Sequence, residues 1–243
     1  MSAQPLHQFE IHPIIPLSLG SVDVSFTNAA LAMVLSSTLM ALLFVFGARR
    51  RELVPSRIQS IAELGYKTIA TLIDDNIGTK GHVFLPFVFS IFFFIVGGNV
   101  FGLLPYAFTF TSHLIATFGL AVLVISVVTI VGFVRHGTKF FRTFAPVGIP
   151  WPVFLLLTPI EIISYCSRPF SLAVRLFANM MAGHTMLKVF AGFSVGLGAL
   201  WGLAPMCVNV VLTAFELLIA VLQAYVFSVL TCVYLHDAIY VGH

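Results

Sequence analysis

Residues 168–184 read RPFSLAVRLFANMMAGH, placing two arginines, an asparagine and a histidine inside a run that otherwise suits lipid. The apolar segment around them extends from about Pro152 to Phe193. As helix at 1.5 Å per residue, its about 40 residues would reach roughly 60 Å, twice a bilayer core of about 30 Å. Such a segment must tilt steeply or bend. Pro159 and Pro169 lie inside it and lack the amide hydrogen that the helix ladder needs, so each is a specific place for a bend. Charge at mid-membrane costs at least about 3 kcal/mol on insertion scales, and residues that bear it usually mark ion or proton paths.

The rest of the chain has the same character. A hydrophobic fraction of 59% against 9% charged residues over 243 positions, with a mean hydropathy of +1.05, excludes a water-soluble globular domain and marks an integral membrane protein. The formal charge of +3 is small, so its placement matters more than its size. Cys166, Cys207 and Cys232 fall in apolar runs without CxxC spacing and read as small buried hydrophobes, neither metal ligands nor a disulfide frame. There is no P-loop, no zinc-ligand spacing, no Ser-His-Asp pattern, no internal repeat and no soluble domain. The chain is therefore expected to have no catalytic site of its own, no metal, no cofactor and no nucleic-acid partner.

Residues 1–25, with Pro5, Pro13 and Pro16, lack the features of a secretory signal and read as an extramembrane arm. Residues 26–48 form a first transmembrane helix that stops at Arg49, Arg50 and Arg51. Over 56–77, Ile58, Ile61, Ala62, Ile69, Leu72 and Ile73 keep helical spacing while Arg57, Gln59, Glu63, Lys67 and Asp74 fill the gaps. That pattern fits an amphipathic helix in the membrane interface, with a helix packed on a soluble partner as the alternative. Residues 83–134 hold two spans joined by a turn around Pro105 and Tyr106, a transmembrane hairpin. A basic patch of Arg135, Lys139 and Arg142 and a breaker-rich stretch with Pro146, Gly148, Pro150 and Pro152 follow. Residues 152–236 then form a pair of long helices, and 237–243 the C-terminus.

The basic residues gather at 49–80 and 135–142, so by the positive-inside rule both segments and the C-terminus lie on the inner side, and the N-terminal arm outside. The expected fold is an all-α integral membrane protein: an amphipathic interfacial helix, a transmembrane hairpin and two long, strongly tilted antiparallel helices.

The polar residues of the long pair fall into levels. Glu161, Arg168, Arg175, Asn179, His184 and Lys188 lie on the first helix, and Glu216, Gln223 and Asp237 on the second, with a glycine-rich turn between. Antiparallel neighbours face each other when their numbers sum to a constant. His184 with Glu216, Arg175 with Gln223 and Glu161 with Asp237 all give about 400, which predicts outer, middle and inner levels. Arginine stays protonated when buried, so Arg175 cannot relay protons but can repel them and stabilise a carboxylate passing beside it. Histidine and carboxylates can relay protons. A proton path broken at its centre by a fixed cation makes sense if a moving carboxylate on another protein carries protons between the halves. Blander readings stand beside this one: a structural ion pair for Arg175, mutual satisfaction for His184 and Glu216, interhelical hydrogen bonds for Asn99 and Asn179, and snorkelling to the interface for Arg168 and Lys188.

SRPFSLAVRLFANMMAGH at 167–184 and FELLIAVLQAYVFSVLTCVYLHDA at 215–238 closely resemble subunit a of F-type ATP synthases, in the mitochondrial and alphaproteobacterial arrangement. HQFEIHP, FTNAALAMVL and GNVFGLLPY resemble the same family. The resemblance implies a proton-translocating stator subunit that forms two offset half-channels against a rotating c-ring, in an energy-transducing inner membrane, bacterial or mitochondrial. It implies the ring, b-type stator subunits, membrane lipids and the transported proton as partners. Arg175 would match the family's essential arginine, Gln223 the glutamine near it and Asn179 the asparagine one turn on. His184 and Glu216 would match the acid/base positions of the outer half-channel and Glu161 the acidic position of the inner one, with Asp237 placed beside Glu161 by the pairing sum. Two other classes compete: a self-contained secondary transporter or channel, which the lack of an inverted repeat disfavours, and a purely structural membrane subunit.

Overall fold

The computed structural model describes residues 10–16, 18–19, 22–23, 25–49, 55–104, 107–137, 140 and 151–240. Pro5, Arg50, Arg51, the Pro105 and Tyr106 turn, Lys139, Arg142, Pro146, Gly148, Pro150 and residues 241–243 lie outside the described residues.

Four short strands precede the helices: β1 (Pro13–Ile15) pairs antiparallel with β4 (Phe26–Thr27), and β2 (Ser18–Leu19) with β3 (Val22–Asp23). Phe26 and Thr27 therefore belong to the arm, and α1 runs from Asn28 to Arg49. The boundary is set by caps: Thr27 Oγ1 accepts from the Ala30 amide at 3.3 Å, and Asn28 Oδ1 from those of Ala29 and His12 at 3.0 and 3.2 Å. The Asn28 side-chain amide donates to the Glu10 carbonyl at 3.0 Å, so one side chain both starts the helix and holds the arm on it.

The amphipathic segment forms α2 (Arg57–Asn76), with Ser56 at its N-cap accepting from the Gln59 amide at 3.4 Å. Its second half buries Ile69, Leu72 and Ile73 in the core, whereas Ile58 and Ile61 in the first half stay exposed. A 3-10 turn (Thr79–Phe84) leads to α3 (Leu85–Gly102), whose Pro86 sits in the first turn, where the helix needs no amide hydrogen. A second 3-10 turn (Phe110–Ser112) leads to α4 (Leu114–His136). The last elements are α5 (Trp151–Gly196), the one-turn α6 (Gly198–Trp201) and α7 (Leu203–Ile239). At 46 and 37 residues, α5 and α7 would measure about 69 and 56 Å if straight. Pro159 and Pro169 lie inside α5.

Five of these segments are long and apolar enough to cross a membrane among the described residues, and the fold is an all-α membrane protein. The core lies where α3, α4, α5 and α7 meet and the end of α2 closes over them. Buried positions recur at helical spacing, as in Val88, Ile91, Phe92, Ile95 and Asn99 of α3 and Leu172, Ala173, Leu176 and Met180 of α5. The buried face of α7 carries Ala220, Ala224, Ser228 and Thr231, small residues that let helix backbones approach without a hydrophobic driving force. The outside is apolar as well: Val34, Ile130, Leu156 and Val211 are all more than half exposed, as side chains facing lipid would be. This corrects the expectation for the cysteines. Cys232 is buried, but Cys166 and Cys207 are exposed, because in a membrane an apolar run does not imply an interior position.

Candidate functional site between the two long helices

Among the described residues, four polar side-chain contacts at hydrogen-bond or ion-pair distance set α5 against α7 and the turn before it. Ser194 Oγ donates to the Gly202 carbonyl at 2.7 Å beside the turn, His184 meets Glu216 at 3.4 Å, Asn179 meets Gln223 at 2.8 Å, and Arg168 meets Asp237 at 3.1 Å. Positions fall along α5 as they rise along α7, so the helices are antiparallel. The register drifts: residues 168–194 of α5 run beside residues 202–237 of α7, a stretch about nine residues longer. A constant pairing sum assumes two straight helices in strict opposition, and the drift breaks it.

At the level expected to be outer, the predicted pairing of His184 with Glu216 and the structure coincide. His184 and Glu216 are 5% and 4% exposed, too buried for water to screen a charge on either, and His184 Nδ1 lies 3.4 Å from Glu216 Oε1. The contact lacks hydrogen-bond geometry, and both Glu216 carboxyl oxygens are buried without a hydrogen-bond partner among the described residues. Gly183 makes room for this carboxyl: a Cβ there would sit 2.6 Å from Glu216 Oε1. The other imidazole nitrogen, Nε2, lies 3.1 Å from Thr109 Oγ1, a contact between residues 75 positions apart that no spacing rule could announce.

At the middle level the partners differ from those expected. Asn179 Nδ2 donates to Gln223 Oε1 at 2.8 Å, so the glutamine opposite the central cation bonds to the residue one turn along. Arg175 is exposed and makes no hydrogen bond or ion pair among the described residues. Leu176 and Met180 beside it are fully buried, which turns the Arg175 face of α5 away from the core together with Ser171, Ala178, Asn179 and Ala182. Behind this level, Asn99 of α3 is completely buried and its side-chain amide donates to the Ala220 carbonyl at 3.1 Å. Asn99 Oδ1, Gln223 Nε2 and Ser228 Oγ remain buried and unpartnered among the described residues.

At the level expected to be inner, Glu161 and Asp237 are not brought together. Asp237 Oδ2 is held by Arg168 Nη1, and the Arg168 guanidinium also stacks over the Tyr165 and Tyr234 rings, at 5.5 and 4.9 Å from their centroids. Tyr165 OH in turn lies 2.6 Å from Thr129 Oγ1 of α4. Arg168 therefore points into an inter-helix cluster and does not reach out to the interface as a snorkelling side chain would. Glu161 lies seven residues, about 10 Å of helix, further along α5 and has no hydrogen-bond or ion-pair partner among the described residues. Asp237 was reached in sequence mainly through the pairing sum, and the drift in register gives it a different partner. Thr109, Tyr165 and Tyr234 were missed; each is a common residue type, important only through a neighbour distant in sequence.

Chemically, the arrangement holds two sets of titratable groups at opposite ends of the α5–α7 seam and one permanent cation on an open face between them. No group of three or more His, Cys, Asp and Glu side chains that could hold a metal ion occurs among the described residues.

The sequence profile of the ATP synthase A chain family matches residues 30–236, most of the chain and every residue of this seam but Asp237. Among curated relatives, the ATP synthase subunit a of Pelagibacter ubique (strain HTCC1062) is 50% identical, with all of both chains aligned. That of Agrobacterium fabrum (strain C58) is 51% identical over the full length of both. That of Paramagnetospirillum magneticum (strain AMB-1) is 51% identical over 98% of this chain and 99% of its own.

Proposed function

The chain belongs to the ATP synthase A chain family, the proton-translocating a subunit of F-type ATP synthase, and from that premise we propose how its own residues carry the proton. Two offset half-paths run along the α5–α7 seam, and Arg175 separates them. On the outer side, His184 and Glu216 take up protons from water and pass them to a carboxylate on a rotating c-ring. On the inner side, Glu161 and Asp237 receive them after the ring has turned. The exposed face bearing Arg175, Ala178, Asn179 and Ala182 is the face turned to the ring. The Asn179–Gln223 hydrogen bond ties that face to α7.

One observation carries this reading: the central cation has no counter-ion among the described residues, while both neighbouring levels hold titratable groups. An arginine at mid-membrane without an acidic partner is costly, and a carboxylate supplied by another subunit offsets that cost. Arg175 stabilises the ring carboxylate in its charged form, which favours proton loss to the inner half-path; uptake on the outer side follows once the carboxylate has moved away from the cation. Because it never deprotonates, it also stops protons hopping directly from one half-path to the other. The buried atoms of Glu216, Gln223, Asn99 and Ser228 that lack a partner among the described residues favour hydration of the seam, since buried polar groups normally find partners.

The arm before α1 faces the outer side of an energy-transducing inner membrane, and the C-terminus the inner side. Partners in the membrane are the c-ring, b-type stator subunits and lipid. A cysteine at Asn179 or Ala182, paired with one beside the ring carboxylate, tests the central claim. Disulfide formation in native membranes is the expected result, and its absence at both positions with the ring co-purified overturns the placement.

A further inference from the structure

Thr109 is 2% exposed and lies between α3 and α4, in the stretch that leads into the 3-10 turn Phe110–Ser112. Its hydroxyl has a single proton and two close polar neighbours. One is the Gly102 carbonyl, 3.3 Å away, which can only accept; the other is His184 Nε2, 3.1 Å away. With the hydroxyl proton committed to the carbonyl, the Thr109 oxygen is left to accept, and Nε2 must carry a hydrogen to donate to it. The hydroxyl cannot easily turn elsewhere. The Thr109 carbonyl accepts from Ser112 Oγ at 2.7 Å and from the Ser112 amide at 3.2 Å, and the side chain packs so close to Gly102 that a Cβ there would sit 2.5 Å from Oγ1.

We infer that Thr109 is a positioning residue for proton transfer: it fixes neutral His184 in the Nε2–H tautomer, leaving the Nδ1 lone pair facing Glu216. This rests on the proposed role of His184 and Glu216 in the outer half-path. In the other tautomer Nδ1 would already carry a hydrogen and could not take a proton from the carboxyl. With Nε2–H fixed, and once the carboxyl has turned from its 3.4 Å contact into line with Nδ1, the transfer is a single exchange between Nδ1 and Oε1. Imidazolium and carboxylate become neutral imidazole and carboxylic acid when the proton moves from nitrogen to oxygen, the reverse holds in the other direction, and the pair's net charge does not change. A neutral imidazole that tautomerised freely would spend part of its time unable to accept. The hydroxyl 3.1 Å from the far nitrogen removes that loss, as second partners orient histidines elsewhere in chemistry.

The test is solid-state 15N NMR of histidine-labelled, assembled membrane sector at a pH where His184 is neutral, its signals assigned by their loss in His184→Gln. The expected wild-type spectrum has a protonated Nε2 and a bare Nδ1. Thr109→Ser keeps that signature and supports wild-type ATP-driven proton pumping. Thr109→Val, of the same shape without the hydroxyl, mixes the tautomers and slows pumping about fivefold, the loss of one hydrogen bond of about 1 kcal/mol. A protonated Nδ1 in the wild type, or an unchanged tautomer or pumping rate in Thr109→Val, overturns the inference. Wild-type pumping in His184→Ala would overturn instead the reading on which it rests, since the tautomer is measured independently of transport.

Discussion

Arg168 of α5 and Asp237 of α7 meet at 3.1 Å, while Glu161, two turns away on α5, has no hydrogen-bond or ion-pair partner among the described residues. The two acidic groups assigned to the inner half-path thus stand in different electrostatic settings. Asp237 is tied into the cluster of Arg168, Tyr165 and Tyr234, whereas Glu161 has no contact of that kind to break.

The first prediction follows from that difference. Glu161→Gln lowers ATP-driven proton pumping in inverted membrane vesicles by at least about a hundredfold, the lower end of what removing a proton-transfer group costs, and Asp237→Asn lowers it less. Equal losses in the two variants would show that the Arg168 contact does not divide their roles. With the pair's side chains 25% and 41% exposed, the contact contributes no more than about 1 kcal/mol to stability, so both variants are expected to assemble.

The second concerns the separation of the half-paths. Replacing Arg175 by Ala removes a barrier of at least about 3 kcal/mol to a proton crossing the middle level, which corresponds to about a hundredfold. Coupled ATP synthesis is lost, and passive proton leak through the assembled complex rises. Arg175→Lys keeps a charge but not the rigid fork of donors and falls between. A tight membrane in the Arg175→Ala variant, measured by dye quenching, would show that the barrier lies elsewhere.

A third prediction tests the packing around Glu216. Gly183→Ala places a methyl group 2.6 Å from Glu216 Oε1, so the carboxyl must move or α5 and α7 must part. Overpacking of this kind costs about 1–3 kcal/mol. Pumping is expected to fall in Gly183→Ala and to stay at the wild-type rate in Gly192→Ala, where an added Cβ meets nothing within 4 Å. Equal rates for the two would mean that the Glu216 carboxyl is not held where proton transfer needs it.

The fourth measures the tie between the helices. Asn179 and Gln223 hydrogen-bond at 2.8 Å, and such bonds between membrane helices are worth about 0.6 kcal/mol on average. A double-mutant cycle with Asn179→Ala and Gln223→Ala, read from unfolding in detergent, is expected to give a coupling of that size. Zero coupling would mean that the two side chains act separately, each toward the ring.

Much of this was legible along the chain. Hydropathy and length suffice to mark membrane helices, because each span must satisfy its own backbone and meet lipid with apolar side chains, a local condition. The antiparallel placing of His184 against Glu216 was legible too, since both lie near the turn between α5 and α7 and little register drift accumulates over so short a distance. The error grew with distance from that turn. Gln223 has Asn179 in place of Arg175, and Asp237 has Arg168 in place of Glu161, because a pairing sum carries no information about how two long helices cross.

The sequence by itself determined that the chain lives in a membrane, which family it resembles, and which of its residues are too costly to bury without purpose. The cause is composition: charge and hydrogen-bonding capacity in lipid are expensive wherever they fall. Beyond the His184–Glu216 pair, only the tertiary structure decided which polar group meets which. Thr109 reaches His184, and Arg168 reaches Asp237 from between two tyrosines, through contacts spanning 75 and 69 residues. Those contacts depend on where folded helices bring the side chains, over distances that periodicity does not span.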